Sequence, residues 1–196
     1  MGKLIEKNDI KQLGIRIARI HNKPSLMDMR GGTRMDGQYL YNKGTMQGMP
    51  YNQEIKQALK RTDTIVERIA SAVPTPFVML WNRCYDEYKD ILGPAYGNPA
   101  WDLGIVVNML NDEIKAEEFL RQYLNERGIL VTIIELYAGI LYAKLNDAII
   151  KRNKTEWQQL AKNECSNIII GKGMNFKEVS AEGLARLGLP GLNRIN

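Results

Sequence analysis

The sequence predicts an all-α chain: a helical bundle of about six to seven helices with a long extended arm (residues 24–52) and an extended C-terminal tail. Three observations predict it. Apolar residues recur at helical spacing along most of the chain, beginning with Ile10, Leu13, Ile17 and Ile20. Helix start and stop signals, such as Asn98-Pro99 and Gly128, stand between these stripes. Residues 24–52 break the pattern, with five glycines and two prolines among 29 residues, a length at which a loop is functional or disordered. Four segments follow: a basic amphipathic helix over 1–23, the arm over 24–52, a helical core domain over 53–170, and a short helix with the tail over 171–196.

Asn8 or Asp9 can cap the first helix, which runs to about His21 before Asn22 and Pro24 end it. Inside the arm, QYLY between Gly37 and Gly44 has strand-like residues flanked by turn formers, suited to a sheet edge or a small hairpin. Asn52 starts the next helix, whose face is Ile55, Leu59, Thr62, Val66, Ile69 and Val73, and Pro74 stops it. Thr75 and Pro76 open a helix lined by Phe77, Trp81, Cys84, Tyr88 and Ile91. Asn98-Pro99 opens another, with a break and re-cap at Asn111 and a stop at Gly128.

Residues 129–143, ILVTIIELYAGILYA, form the most apolar run. Its 15 residues fall short of the roughly 18–20 a membrane span needs. A central Glu135 would cost about 2.5–3.5 kcal/mol there, several times what each Ile or Leu returns. The run reads as a buried central helix, with Gly139 allowing a close helix crossing and Glu135 needing a partner or a wet edge. Thr155 and Gln158 have capping-box spacing for a helix to about Asn167. Ile168 to Ile170 suit a short strand, Gly171-Lys172-Gly173 a turn, and 176–187 a last helix.

Little chemistry is legible. Gly171-Lys172-Gly173 lacks the spacing that wraps amides round phosphate. The one histidine, His21, lies at a helix end, where a cation favours the helix dipole. With Cys84 and Cys165 isolated, no zinc set is present, and both read as buried reduced thiols. Glu113 and Glu117 are i,i+4 neighbours, and with Asp86 they are the residues an acidic catalytic pocket would need; a solvated acidic face is the simpler reading. No catalytic residue, cofactor site or metal site is assigned, and the N-terminus lacks an apolar leader.

What the sequence offers is contact surface. A disordered linker is poor in Met and Tyr, whereas this arm is rich in both. Met27, Met29, Tyr39, Leu40, Tyr41, Met46 and Met49 are the expected partner contacts, joined by Leu189, Leu192 and Ile195 of the Gly/Pro-broken tail. Charge is segregated: residues 1–50 carry nine Lys/Arg against four Asp/Glu, while 101–150 carry four against eight. Copies can therefore meet head to tail. Alternatively Lys3, Lys7, Lys11, Arg16, Arg19, Arg30 and Arg34 can touch phosphate non-specifically.

A helical domain of this size with a reaching arm and tail is similar to the head-to-tail connector (adaptor or ring) proteins of tailed bacteriophages. The resemblance is architectural and carries over no functional residue. It implies a homo-oligomer closed into a ring, with portal and tail components as partners, no membrane, and a place in the virion after assembly in the host cytoplasm. A composition rich in Asn, Ile and Lys, whose codons are A/T-rich, suits such a genome. The second expectation is a non-specific nucleic-acid-binding helical protein of a phage or plasmid.

Overall fold

Five of the helices open on a side chain that accepts a backbone N–H of the first turn, which the helix itself leaves unpaired. Asp36, Asn98, Asp112, Thr132 and Asn153 each do this. The computed structural model describes residues 7–22, 33–50, 52–69, 95–128, 131–164 and 176–194. Along these run α1 (Lys7–Asn22), β1 (Thr33–Met35), α2 (Gly37–Met46), α3 (Gln53–Ile69), β2 (Ala95–Gly97), α4 (Pro99–Leu110), α5 (Glu113–Arg127), α6 (Ile133–Ile150), α7 (Lys154–Gln159) and α8 (Phe176–Arg186). A π turn, Leu160–Glu164, continues α7, and a 3-10 helix, Pro190–Arg194, follows α8. Among the described residues the fold is all-α apart from β1 and β2, which pair in parallel with Thr33 opposite Ala95.

The core is built round α6, buried along most of its length. α4 crosses it at a glycine contact. A Cβ at Gly139 would lie 1.9 Å from the Ala100 carbonyl oxygen, and one at Gly104 would lie 2.1 Å from the Gly139 backbone. Only bare backbone allows this approach, as expected for Gly139; Gly104 is its counterpart. Trp101 of α4 stacks on Tyr142 of α6 with ring centroids 4.4 Å apart. α1 lies along α5, and its Ile10 and Ile17 join the same core as Leu40, Leu59, Trp157 and Leu192.

Several boundaries match expectation. Asn98 and Pro99 open α4, Asn111 closes it in the left-handed region at φ 45°, and Gly128 closes α5 at φ 69°, while the re-cap expected at Asn111 falls on Asp112. Glu135 has the partners it needs: it completes a capping box with Thr132 and accepts from Asn98 Nδ2 at 2.9 Å. Among the described residues no helix is long and apolar enough to cross a membrane.

Other expectations are corrected. Residues 37–46 are helix, not extended arm or strand: Asp36 caps them, and Leu40, Tyr41 and Gly44 turn into the core at helical spacing. Burial against neighbouring helices outweighs the β-propensity of Tyr and the cost of Gly44. Residues 190–194 form a 3-10 turn rather than an extended tail, because Leu192 is buried. The helix expected to open at Thr155 instead opens at Asn153, which accepts from Glu156 N at 3.1 Å and leaves Thr155 exposed. The expected helix over 75–91, Cys84, Cys165, and the strand and turn over 168–173 lie outside the described residues.

Candidate functional site

Two polar centres are built where helices meet. In the first, the C-terminal end of α1 places His21 between α4 and α5. Nε2 of His21 lies 2.9 Å from Asp102 Oδ2, and Nδ1 lies 2.9 Å from the Tyr123 hydroxyl. The Asp102 carboxylate accepts, so Nε2–H donates to it, and in a neutral ring Nδ1 accepts the Tyr123 O–H. Arg127, also buried, places its guanidinium 5.9 Å from the centre of the Tyr123 ring. Burial pushes the Tyr123 phenol well above its usual range; Arg127 opposes the shift, and Asp102 and Glu135 add to it. His21 is therefore a buried linchpin rather than a solvated helix-end side chain. The long-range contacts to 102 and 123 that make it so have no local sequence signal.

The second centre ties α2 to the body. The Asp63 carboxylate of α3 accepts the Gly37 N–H at 3.0 Å and the Tyr142 hydroxyl at 2.7 Å. A Cβ at Gly37 would lie 2.8 Å from that hydroxyl, so the start of α2 sits hard against α6. Further along, Gly44 faces the Trp157 ring, and Lys43 donates to Asn146 Oδ1 at 2.8 Å. Half-burial lowers the Lys43 ammonium below its usual range. The first centre is buried and the second part-buried, and in each the hydrogen bonds tie one helix to another.

The expected contact residues divide. Leu40, Tyr41, Met49 and Leu192 are buried in their own core and present no surface to a partner; Tyr39 and Leu189 are half-buried against it. Met46 is 87% exposed. Met27, Met29 and Ile195 lie outside the described residues. Among the described residues three further large apolar side chains are outward-facing: Ile114 at 80% and Met109 at 44%, on either side of the turn between α4 and α5, and Ile150 at 56%, at the end of α6. Helical spacing carried from Leu103, Val107 and Leu110 on to Ile114 puts Ile114 in the core; it is exposed because the break at Asn111 rotates the stripe.

The basic residues divide as well. Lys11 pairs with Glu118 at 3.6 Å and Arg19 with Glu126 at 2.7 Å, so the basic first segment meets the acidic middle inside one chain. For these residues the charge complementarity read as head-to-tail is intramolecular, because α1 and α5 lie side by side. Arg16 is exposed. Lys7 lies in α1 and Arg34 in β1, while Lys3 and Arg30 lie outside the described residues. Glu113 accepts the Gly191 N–H and Glu117 pairs with Arg121, while Asp86 lies outside the described residues. Among the described residues no three His, Cys, Asp or Glu side chains group as metal ligands would.

No protein-family model, curated protein or solved structure matches the chain.

Proposed function

We propose that this chain is a structural assembly protein of a virion, a head-to-tail connector subunit that oligomerises into a ring joining portal to tail. The observation that carries the proposal is Met46: an apolar side chain exposed on a helix whose opposite face is buried. Leu40, Tyr41 and Gly44 bury α2, and Asp63 fixes its first turn. The docked backbone fixes where this side chain is presented, and its flexible thioether can adapt to a partner's surface. Ile114 and Met109 present a second apolar point on a different element. Two unlike contact points suit a heterologous interface, which closes into a ring when the rotation between copies allows. In this reading the arm is a docked platform with an apolar tip.

The test is the mass of the purified protein by light scattering at low and high salt, with and without DNA. An oligomer that survives high salt, and is lost in Met46→Glu or Ile114→Glu while the thermal transition stays put, supports the proposal. A monomer under every condition overturns it. A monomer that gains mass only with DNA at low salt supports non-specific nucleic-acid binding instead, with the exposed Arg16 as its first candidate contact.

A further inference from the structure

We infer that the outer face of α3 docks on the sugar-phosphate backbone of duplex DNA and reads no bases. α3 turns Ile55, Leu59, Thr62 and Val66 into the core. Its opposite face is an exposed stripe, Gln53, Gln57, Lys60, Arg61, Thr64 and Arg68, at spacings that keep it on one side of the helix. The carboxylates of α3 leave this stripe basic. Glu54 is matched by Lys162 at 3.6 Å, and Asp63 is turned inward on Gly37 and Tyr142. Glu67 is exposed at the edge of the stripe. Among the described residues Lys60, Arg61 and Arg68 take part in no ion pair. On α1, by contrast, Lys11 and Arg19 are matched by Glu118 and Glu126.

The chemistry of the stripe selects the partner. Among the described residues the exposed large apolar side chains are Met46, Met109, Ile114 and Ile150, and none of them lies on α3. The stripe carries no aromatic ring either. A protein partner is anchored by aromatic and apolar side chains in a dry centre, where Lys is depleted. A single strand is held by bases stacked on aromatic rings. Both need what this face lacks. A duplex backbone needs what it has: cations flanked by amide and hydroxyl donors along a rigid line. Lys60 and Arg68 stand about two turns apart, about 12 Å along the axis, so they meet phosphates at separate points of an extended backbone. The contact is charge on charge and therefore independent of sequence and sensitive to salt. It needs only the folded chain, so it stands or falls apart from the assembly reading.

The test is fluorescence anisotropy of a labelled duplex of random sequence with the full chain, over roughly 50 to 200 mM salt. Each phosphate contact contributes about 0.9 to the slope of log affinity against log salt. Lys60→Gln/Arg61→Gln/Arg68→Gln should lower that slope by about 2.7, which removes roughly 40-fold of the fall in affinity across the range. Lys60→Arg/Arg61→Lys/Arg68→Lys keeps the charges and should keep the slope, which separates loss of charge from loss of fold. Lys11→Gln/Arg19→Gln should leave it nearly unchanged. Equal slopes for wild type and the α3 glutamine variant overturn the inference, as does a charge-keeping variant that also loses the slope. A wild-type chain that leaves the duplex unbound at the low-salt end overturns it too. A single strand bound as tightly as the duplex overturns the duplex as partner. A chain that binds the duplex as expected and never oligomerises supports the inference and overturns only the assembly reading.

Discussion

His21 Nε2 lies 2.9 Å from Asp102 Oδ2, and both side chains are closed to solvent, so two helices that are far apart in sequence share one buried polar contact. Breaking such a pair leaves a polar or charged group stranded. His21→Ala is expected to cost about 3–5 kcal/mol, as is Asp102→Ala. In urea unfolding, the double substitution should cost much less than the sum, because it strands neither partner. Additive losses would show that the two side chains act independently.

Tyr123 makes this centre sensitive to alkali. Burial, with Asp102 and Glu135, holds its phenol protonated in the folded state beyond the ordinary value of 10.0. The unfolded chain then binds fewer protons than the folded one above that pH, so stability is fully present below 10.0 and is lost as pH rises toward the folded value. Burial raises Tyr39 too, with the same sign. Tyr123→Phe should lose about 1–3 kcal/mol at neutral pH, because His21 loses a hydrogen-bond partner. It should also fall less steeply above pH 10. Equal slopes for the two proteins in alkaline denaturant titrations would contradict this.

The α4–α6 crossing tolerates no side chain. Gly139→Ala gains about 1 kcal/mol of helix propensity but forces a methyl into the Ala100 carbonyl. Overpacking of this kind costs about 3 kcal/mol or more and dominates. Gly128→Ala is the control. It meets nothing within 4 Å and pays only for its left-handed φ of 69°, about 1 kcal/mol. Thermal melts that rank the two in the opposite order would mean the helices separate freely.

Asp63 should decide whether α2 stays docked. Asp63→Ala removes the acceptor for the Gly37 N–H and the Tyr142 hydroxyl, each a charge-assisted bond of about 1.5–3 kcal/mol. Amide exchange over residues 37–46 should quicken more than exchange over α6. Deleting 25–51 in favour of a short Gly/Ser linker, by contrast, should lower the melting temperature of the whole body, since Leu40, Tyr41 and Met49 leave the core with it. An unchanged melt would return the segment to the status of a free arm.

Met46 and Ile114 separate stability from assembly. Met46→Glu and Ile114→Glu should each alter unfolding free energy by no more than about 0.5 kcal/mol, since neither side chain is packed. Both should reduce oligomer mass in sedimentation.

Local chemistry by itself determined the all-α class and many helix ends: Asn98-Pro99, Asn111 and Gly128 act through their own φ and their own side chains. It also marked Gly139 as a close crossing and Glu135 as a group in need of partners. Tertiary structure decided the rest. The segment 37–46 has residues of mixed propensity, and it became helix because Asp63, Tyr142 and Trp157, distant in sequence, line a place for it. His21 became a buried linchpin because α4 and α5 bring Asp102 and Tyr123 together, and the basic α1 found its acid on α5 of the same chain. Caps and periodicity are properties of a few neighbouring residues. A burial partner depends on which helices meet, and no short stretch of sequence carries that.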